Sequence, residues 1–322
     1  MPVFVYDVEG WAWHQKAGKL MNEFTAFDSA RMSEKDAAAM GTEDRTYKAK
    51  IQQMIFFSPQ QYERVRLQWE FANFNCFVGA SFPAELPALA ALDGKVAGIF
   101  VNNRRMQTTL AAVDVSAWLI PNGVDCEFWN PGIIKLADPL RGPLRVGWVG
   151  NSRHHTHGGR APHKGFSIIA EACARSGAVL IAKDSAGDYS GDSYWSPTEI
   201  RDRIYHQIDV LAVASEMEGT PNPALEAMAC GVPVVTTPVG DAAEVIAKYG
   251  QGGWIVDRCV ESFSLIFGGL TREDCAEVGK RGRERVLTHR TWRGAADQFR
   301  QMFHDHEING GRVTASAGGD SE

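Results

Sequence analysis

Short apolar, β-rich runs alternate with amphipathic helical stretches along most of this 322-residue chain, and that alternation is what most restricts its fold. Strands that are followed by helices pair in parallel, because a parallel neighbour needs a long crossover that a helix supplies. In the first half, Val3–Val8, Met54–Phe57, Ala97–Val101 and Ala117–Ile120 read as strands, the last ending at Pro121-Asn122-Gly123. Ala17, Leu20, Met21 and Phe24 fall at i, i+3, i+4, i+7 and predict one helix face, and Asn103–Val113 predicts a second helix. Residues 28–50 are polar and Ala-rich, and read as peripheral. The second half alternates again. Strands are expected at Leu144–Val149, Ala178–Ala182, Ile208–Ala214, Val232–Thr236 and Trp254–Val256, with helices at Lys164–Ser176, Pro197–His206, Pro223–Cys230 and Ala242–Tyr249. The expected architecture is α/β, with two Rossmann-like domains whose parallel sheets face a central cleft.

The boundary between them is marked by composition. Residues 127–143 carry three prolines and two glycines and support no periodicity, as a linker would. The predicted division is 1–126, a linker at 127–143, 144–290, a terminal helix at 291–308 packing back on the first domain, and a disordered Gly/Ser/Ala-rich tail at 309–322. Net charge is −2 over residues 1–125 and −4 over the remainder, so neither half has the basic excess of many nucleic-acid binders. The six cysteines are scattered with no Cys-x-x-Cys pair, which argues against a zinc ribbon or disulfide framework and for a reducing, cytoplasmic setting. No apolar run approaches the roughly 20 residues that span a bilayer, and Trp11, His14 and Lys16 interrupt any signal-peptide core.

The most informative stretch is Ala214–Asp241, ASEMEGTPNPALEAMACGVPVVTTPVGD. A buried strand ends at Ser215, a turn follows, and a helix opens with Asn222 as N-cap and Pro223 in the first helical position. Ligands of parallel α/β sheets bind beyond the carboxyl ends of the strands, and amides at a helix N-terminus suit a diphosphate. Glu218 and Glu226 stand eight apart, one on the turn and one in the helix, so both carboxylates can accept from sugar or ribose hydroxyls. Equally, Glu226 can complement the helix dipole and Glu218 can be a solvated turn residue.

This stretch resembles the Glu-x7-Glu donor motif of the retaining family 4 glycosyltransferases of GT-B fold. The segments LIPNGVDCEFWNP, LRVGWVGN, HKGFSIIAEA and RTWRGAADQFRQMF resemble the same family, which extends the likeness from about Ala97 to Phe303. The resemblance implies a nucleoside-diphosphate sugar as donor, an acceptor hydroxyl, retention at the anomeric carbon and no required metal. Glu218 is then the donor-sugar contact and Glu226 the ribose contact. The amides implied to hold the diphosphate fall on Asn222, Ala224 and Leu225, and Gly150, Gly219 and Thr220 are further donor-binding residues. Lys164 of HKG is implied as the cation that neutralises the leaving group. Where the family places an Arg after that strand this chain has Asn151, so Arg153 or Arg160 is left to supply the second cation.

In the family the loop after the first strand approaches the donor phosphates and the acceptor, which implies Gly10 and Trp11 as donor-binding residues and His14 as a catalytic candidate. His14 is the one histidine within residues 1–125, and the family's usual active-site His has no counterpart later in this shortened domain. Asn102, Asn103 and Arg104 close a strand and open a helix at the same end, and Asn103 and Arg104 are acceptor candidates. The histidines His154, His155, His157 and His163 lack a carboxylate or Cys partner and fit a polar loop around a polyphosphate better than a metal site. Tyr62–Phe77 interleaves aromatics with Arg64 and Arg66, which suits stacking on bases or sugars or a half-buried helix. The expected activity is glycosyl transfer to a polysaccharide, lipid-linked glycan or other glycan. The alternatives are transfer to a hydroxymethylated base in viral DNA, a nucleotide-sugar epimerase, or a non-catalytic sugar-nucleotide-binding module.

Overall fold

The computed structural model describes residues 2–6, 12–24, 30–33, 35, 53–66, 75–80, 82–132, 142–153, 163–186, 195–246 and 250–308. The chain divides into two compact units, one formed by Met1–Asn122 with Trp292–Glu322, the other by Gly123–Thr291.

The first unit holds a six-stranded sheet of β1 (Pro2–Tyr6), β2 (Ala30–Ser33), β3 (Gln53–Phe56), β4 (Asn75–Ala80), β5 (Gly98–Val101) and β6 (Trp118–Leu119). The order is β2-β1-β3-β4-β5-β6 with every pairing parallel. Side chains alternate between the two faces as the pleat requires. Val3, Val5, Met54, Phe56, Val78, Ile99 and Val101 join one buried cluster. Phe4, Ile55, Phe77 and Phe100 join the other. That second face is capped by the helices Ala12–Glu23 and Trp292–Ile308, which contribute Ala17, Leu20, Phe299, Met302 and Phe303, and by Phe24 just after the first of them. Phe299 meets Phe4 at 5.8 Å and Phe100 at 5.1 Å between ring centroids, both edge-on, the geometry aromatic quadrupoles favour.

Two strands depart from expectation. β2 lies in the stretch read as peripheral; it is a four-residue edge strand, ARMS, too polar and short to show a β pattern. β4 overlaps only the end of the aromatic–Arg run, and Cys76 to Ala80 are all buried between β3 and β5. Tyr62 sits on the helix Pro59–Arg66 with 6% exposure and packs edge-on against Phe56, so it is a core residue rather than a stacking platform. Trp69, Phe71 and Phe74 lie outside the described residues.

The second unit holds β7 (Arg145–Gly150), β8 (Val179–Asp184), β9 (Val210–Val213), β10 (Val234–Thr236) and β11 (Gly253–Ile255). Their order is β11-β10-β9-β7-β8, again all parallel. The chain runs outward from β7 to β8 on one side and to β9, β10 and β11 on the other. The reversal falls between β7 and β9, the topological switch point at which such sheets open a crevice. Leu211, Val213 and Val234 face one cluster, and Val210, Ala212 and Val235 the other. The expected linker is in part core: Trp129 is 9% exposed and packs edge-on on Phe128 and Tyr205. Proline and glycine content ends periodicity without preventing an aromatic anchor from burying itself. Residues 133–141 and the tail from Asn309 lie outside the described residues. The single helix expected over Pro197–His206 is an α-turn, Pro197–Ile200, running into a π-turn, Arg201–Tyr205.

Candidate active site

The switch point of the second unit brings together the loops that follow β7 and β9. The β7 loop ends at His163-Lys164-Gly165, and its backbone is fastened on every side. The carbonyl of His163 accepts from the Glu216 amide at 2.8 Å and from Arg258 Nη2 at 3.4 Å. Arg258 Nε also donates to the Ala214 carbonyl at 2.9 Å, and Trp148 Nε1 donates to the Lys164 carbonyl at 3.4 Å. Gly165 has φ +66°, and a Cβ there would stand 2.3 Å from the Ala214 carbonyl oxygen. Only glycine combines the left-handed conformation with that approach. The result is an ion pair between Lys164 Nζ and Glu218 Oε1. Ser215 Oγ donates to the same oxygen at 2.7 Å. Glu218 is 6% exposed, so its charge is held by a cation and a hydroxyl together, as a buried carboxylate requires.

The helix Asn222–Ala229 opens four residues later. Its cap differs from expectation. Pro221 is the N-cap and Asn222 the first helical residue, and no side chain caps the end. The Ala224 amide donates to the Pro221 carbonyl at 2.8 Å, closing the first turn tightly, so it is not among the amides open to an anion. Pro221 starts the helix because its ring already fixes φ near the helical value, at −72°. Ala224 and Leu225 are buried.

Glu226 lies on this helix, partly buried. The Tyr205 hydroxyl donates to its Oε2 at 2.7 Å. Burial pushes the Glu226 carboxyl up to about 7, against the Tyr205 hydrogen bond, which favours the charged form. Tyr205 itself is 1% exposed, and burial beside that carboxyl raises its hydroxyl far above the usual range.

A third group braces the turn from beneath. Asp241 Oδ2 accepts from Thr220 Oγ1 at 3.1 Å and from Arg290 Nη1 at 2.7 Å. Its Oδ1 has no partner among the described residues, and burial raises the carboxyl to about 6. Gly240, at φ +53°, lets this segment press on the turn, since a Cβ there would stand 2.1 Å from the Gly219 carbonyl oxygen. Arg290 in turn accepts the Val124 amide on its carbonyl at 2.7 Å.

The structure thus gathers Glu218, Gly219, Thr220, Asn222 and Lys164 with Ser215, and sets Glu226 in the helix behind them. Gly150 ends β7, and its carbonyl accepts the Ser185 amide at 2.7 Å. Arg153 is exposed, with its backbone N–H on Asn151 Oδ1. Gly10, Trp11, Arg160, His154, His155 and His157 lie outside the described residues, and His14 is placed only as a residue of the helix Ala12–Glu23. Asn103 is 1% exposed and caps the helix Arg104–Ala111, its Oδ1 accepting the Met106 amide at 2.9 Å. It is therefore a capping residue rather than an open acceptor contact, whereas Arg104 is exposed at the helix start. His306 is 9% exposed and packs edge-on against Phe77. No group of three His, Cys, Asp or Glu among the described residues is placed to hold a metal, and no described helix is long and apolar enough to cross a membrane.

Sequence reasoning missed Ser215, Tyr205, Asp241, Arg258 and Arg290. Ser215 and Asp241 lie within the informative stretch itself, one just past the end of β9 and one just before the helix Ala242–Ile246, and those positions were a usable signal. Tyr205, Arg258 and Arg290 reach the site from remote segments.

Two all-parallel α/β units, one with a charged cluster at its switch point, make this the GT-B fold of glycosyltransferases. Residues 194–265, which include Glu218 and Glu226, match the family described as glycosyl transferases group 1. Among curated relatives, the D-inositol 3-phosphate glycosyltransferase of Mycobacterium marinum is 27% identical over 185 residues, 49% of this chain. The match spans 37% of that relative's length. Among solved structures, sucrose-phosphate synthase of Thermosynechococcus elongatus aligns with a TM-score of 0.70 at 15% identity, over 96% of this chain and 100% of that one. Anabaena HepE in complex with UDP aligns with 0.69 at 14% identity, over 95% and 100%.

Proposed function

We propose that this chain is a nucleotide-sugar-dependent, retaining glycosyltransferase that transfers a sugar to a glycan hydroxyl. The observation that carries it is the Lys164–Glu218–Ser215 cluster at the switch point, with Glu226 on the helix that follows. Lys164 is the cation for the leaving diphosphate, assisted by Arg153 or Arg160, and the N-terminal end of the helix Asn222–Ala229 adds its dipole. Stabilising charge as it develops on the leaving group is where most of the barrier reduction arises. Glu218 orients the donor sugar while keeping Lys164 aimed, and Glu226 accepts from the ribose hydroxyls. The bond from the anomeric carbon to the diphosphate oxygen breaks as the acceptor oxygen attacks from the same face. The acceptor's proton passes to the departing phosphate, so neither a protein base nor a metal enters this scheme.

UDP, the nucleotide that HepE holds in its solved complex, is the first to test. The chain is incubated with UDP- and GDP-sugars, and nucleoside diphosphate release and product stereochemistry are followed by NMR. Slow donor hydrolysis, or transfer with retention, supports the reading. An isomerised sugar would make the chain an epimerase, and binding without turnover a sugar-nucleotide module.

A further inference from the structure

The first unit hides a charged group at the end of its sheet where ligands of parallel α/β folds bind. Lys16, on the helix after β1, is 9% exposed. Its ammonium donates to Asn122 Oδ1 at 2.9 Å and lies 4.9 Å from the centroid of the Phe57 ring. Phe57 immediately follows β3, and Asn122 lies three residues beyond β6, so both contacts belong to the carboxyl edge. Buried polar groups gather there: Ser58 and Gln61 after β3, and Asn102 and Asn103 after β5. Gln61 Nε2 donates to the Val5 carbonyl at 3.0 Å, and Asn103 Nδ2 to Asn102 Oδ1 at 3.0 Å, so these amides are engaged, one with the backbone of β1 and the other with its neighbour's side chain.

Lys16 differs from them. An ammonium has three donors, and among the described residues it has one hydrogen bond, one aromatic face and no carboxylate. Burial lowers its pKa to about 8. A methionine would fill the same space against Phe57 without the desolvation cost of a charge, and an uncharged amide oxygen compensates that cost only in part. A cation kept at such a place serves an anion.

We propose that Lys16 recognises an oxyanion carried by the acceptor, a phosphate or a carboxylate group, at the carboxyl edge of the first sheet. This rests on reading the first unit as the acceptor side of a glycosyltransferase. Lysine serves such groups as a point charge with rotatable donors, which does not demand planar, two-pronged geometry.

The test uses the full chain with saturating UDP, so that the Lys164 site is filled, and titrates inorganic phosphate and acetate separately by calorimetry. Wild type and Lys164→Ala are expected to bind one or both anions. Lys16→Met should bind about tenfold or more weakly, the loss of one charge-assisted hydrogen bond, and Lys16→Arg should recover part of it. The anion that binds identifies the acceptor group. Equal affinity in Lys16→Met and wild type, or no saturable binding of either anion, overturns the proposal. If Lys16→Met does not fold, NMR of wild type labelled with 13C-lysine decides: a Lys16 resonance that moves saturably with anion supports the site, and an unmoved one refutes it. Failure to bind UDP would count against the transferase reading alone, since the titration can be repeated without nucleotide.

Discussion

The Tyr205 hydroxyl, at the end of a π-turn, donates to the carboxylate of Glu226 on the helix that follows β9, 2.7 Å away. The bond aims a partly buried acid while doing little to offset its desolvation, since the carboxyl still stands near 7 against an ordinary 4.5.

A group with that shift binds its proton more tightly in the folded chain than in the unfolded one. The native state therefore loses stability as pH rises from about 4.5 to about 7, and below that window the group contributes nothing. Glu226→Gln should remove the penalty. Its stability should match wild type near pH 4 and exceed it by about 1–3 kcal/mol at pH 8. Urea unfolding at the two pH values measures this; equal stabilities at pH 8 would show that the acid is not desolvated. The same variant should bind nucleoside diphosphate more weakly.

Lys164→Ala leaves Glu218, 6% exposed, with the Ser215 hydroxyl as its donor among the contacts described above. Stability should fall by about 1–3 kcal/mol. Turnover should fall by more than donor affinity, because the cation matters most as the leaving group separates. Steady-state kinetics with a verified donor separates the two, and wild-type turnover would remove Lys164 from the chemistry. Activity should persist in excess EDTA.

Arg290 and Asp241 form a pair with 7% and 0% side-chain exposure. Arg290→Met should cost about 3–5 kcal/mol by leaving the carboxylate buried with Thr220 alone. Adding Asp241→Asn should recover a good part, because an amide is cheaper to bury than a charge. Denaturant unfolding of the four proteins in the cycle gives the coupling. Strictly additive losses would mean the ion pair is not what braces the turn.

Much of this was legible locally. Glu218 and Glu226 stood out by their spacing across a strand-to-helix turn, and Lys164 through the resemblance that HKG carries. What escaped depends on contacts that spacing does not carry. Arg290 reaches Asp241 across 49 positions, and Arg258 reaches His163 across 95. β4 escaped because its buried residues adjoin a run of aromatics and arginines that dominates the local pattern. The cap was placed one residue late because Asn is the better side-chain cap, whereas here the Pro221 ring starts the helix.

Cutting the chain after Thr291 removes Phe299, Met302 and Phe303, all but fully buried against Phe4, Phe77 and Phe100. Each such side chain contributes roughly 1.5–3 kcal/mol on burial. The shortened chain should lose solubility and bind a hydrophobic dye, whereas one ending at Gly310 should melt like wild type. A soluble chain ending at Thr291 with an unchanged melting temperature would refute the role of this helix.

The segment His163-Lys164-Gly165 is registered from behind, by Trp148, Ala214 and Arg258. Its placement thus depends on contacts with β7 and with segments around Ala214 and Arg258 that are remote in sequence. Such a lysine works like a pin seated in its own socket. For an engineer, Trp148, Gly165 and Arg258 are therefore the residues to hold fixed if the charge at position 164 is to stay where it is.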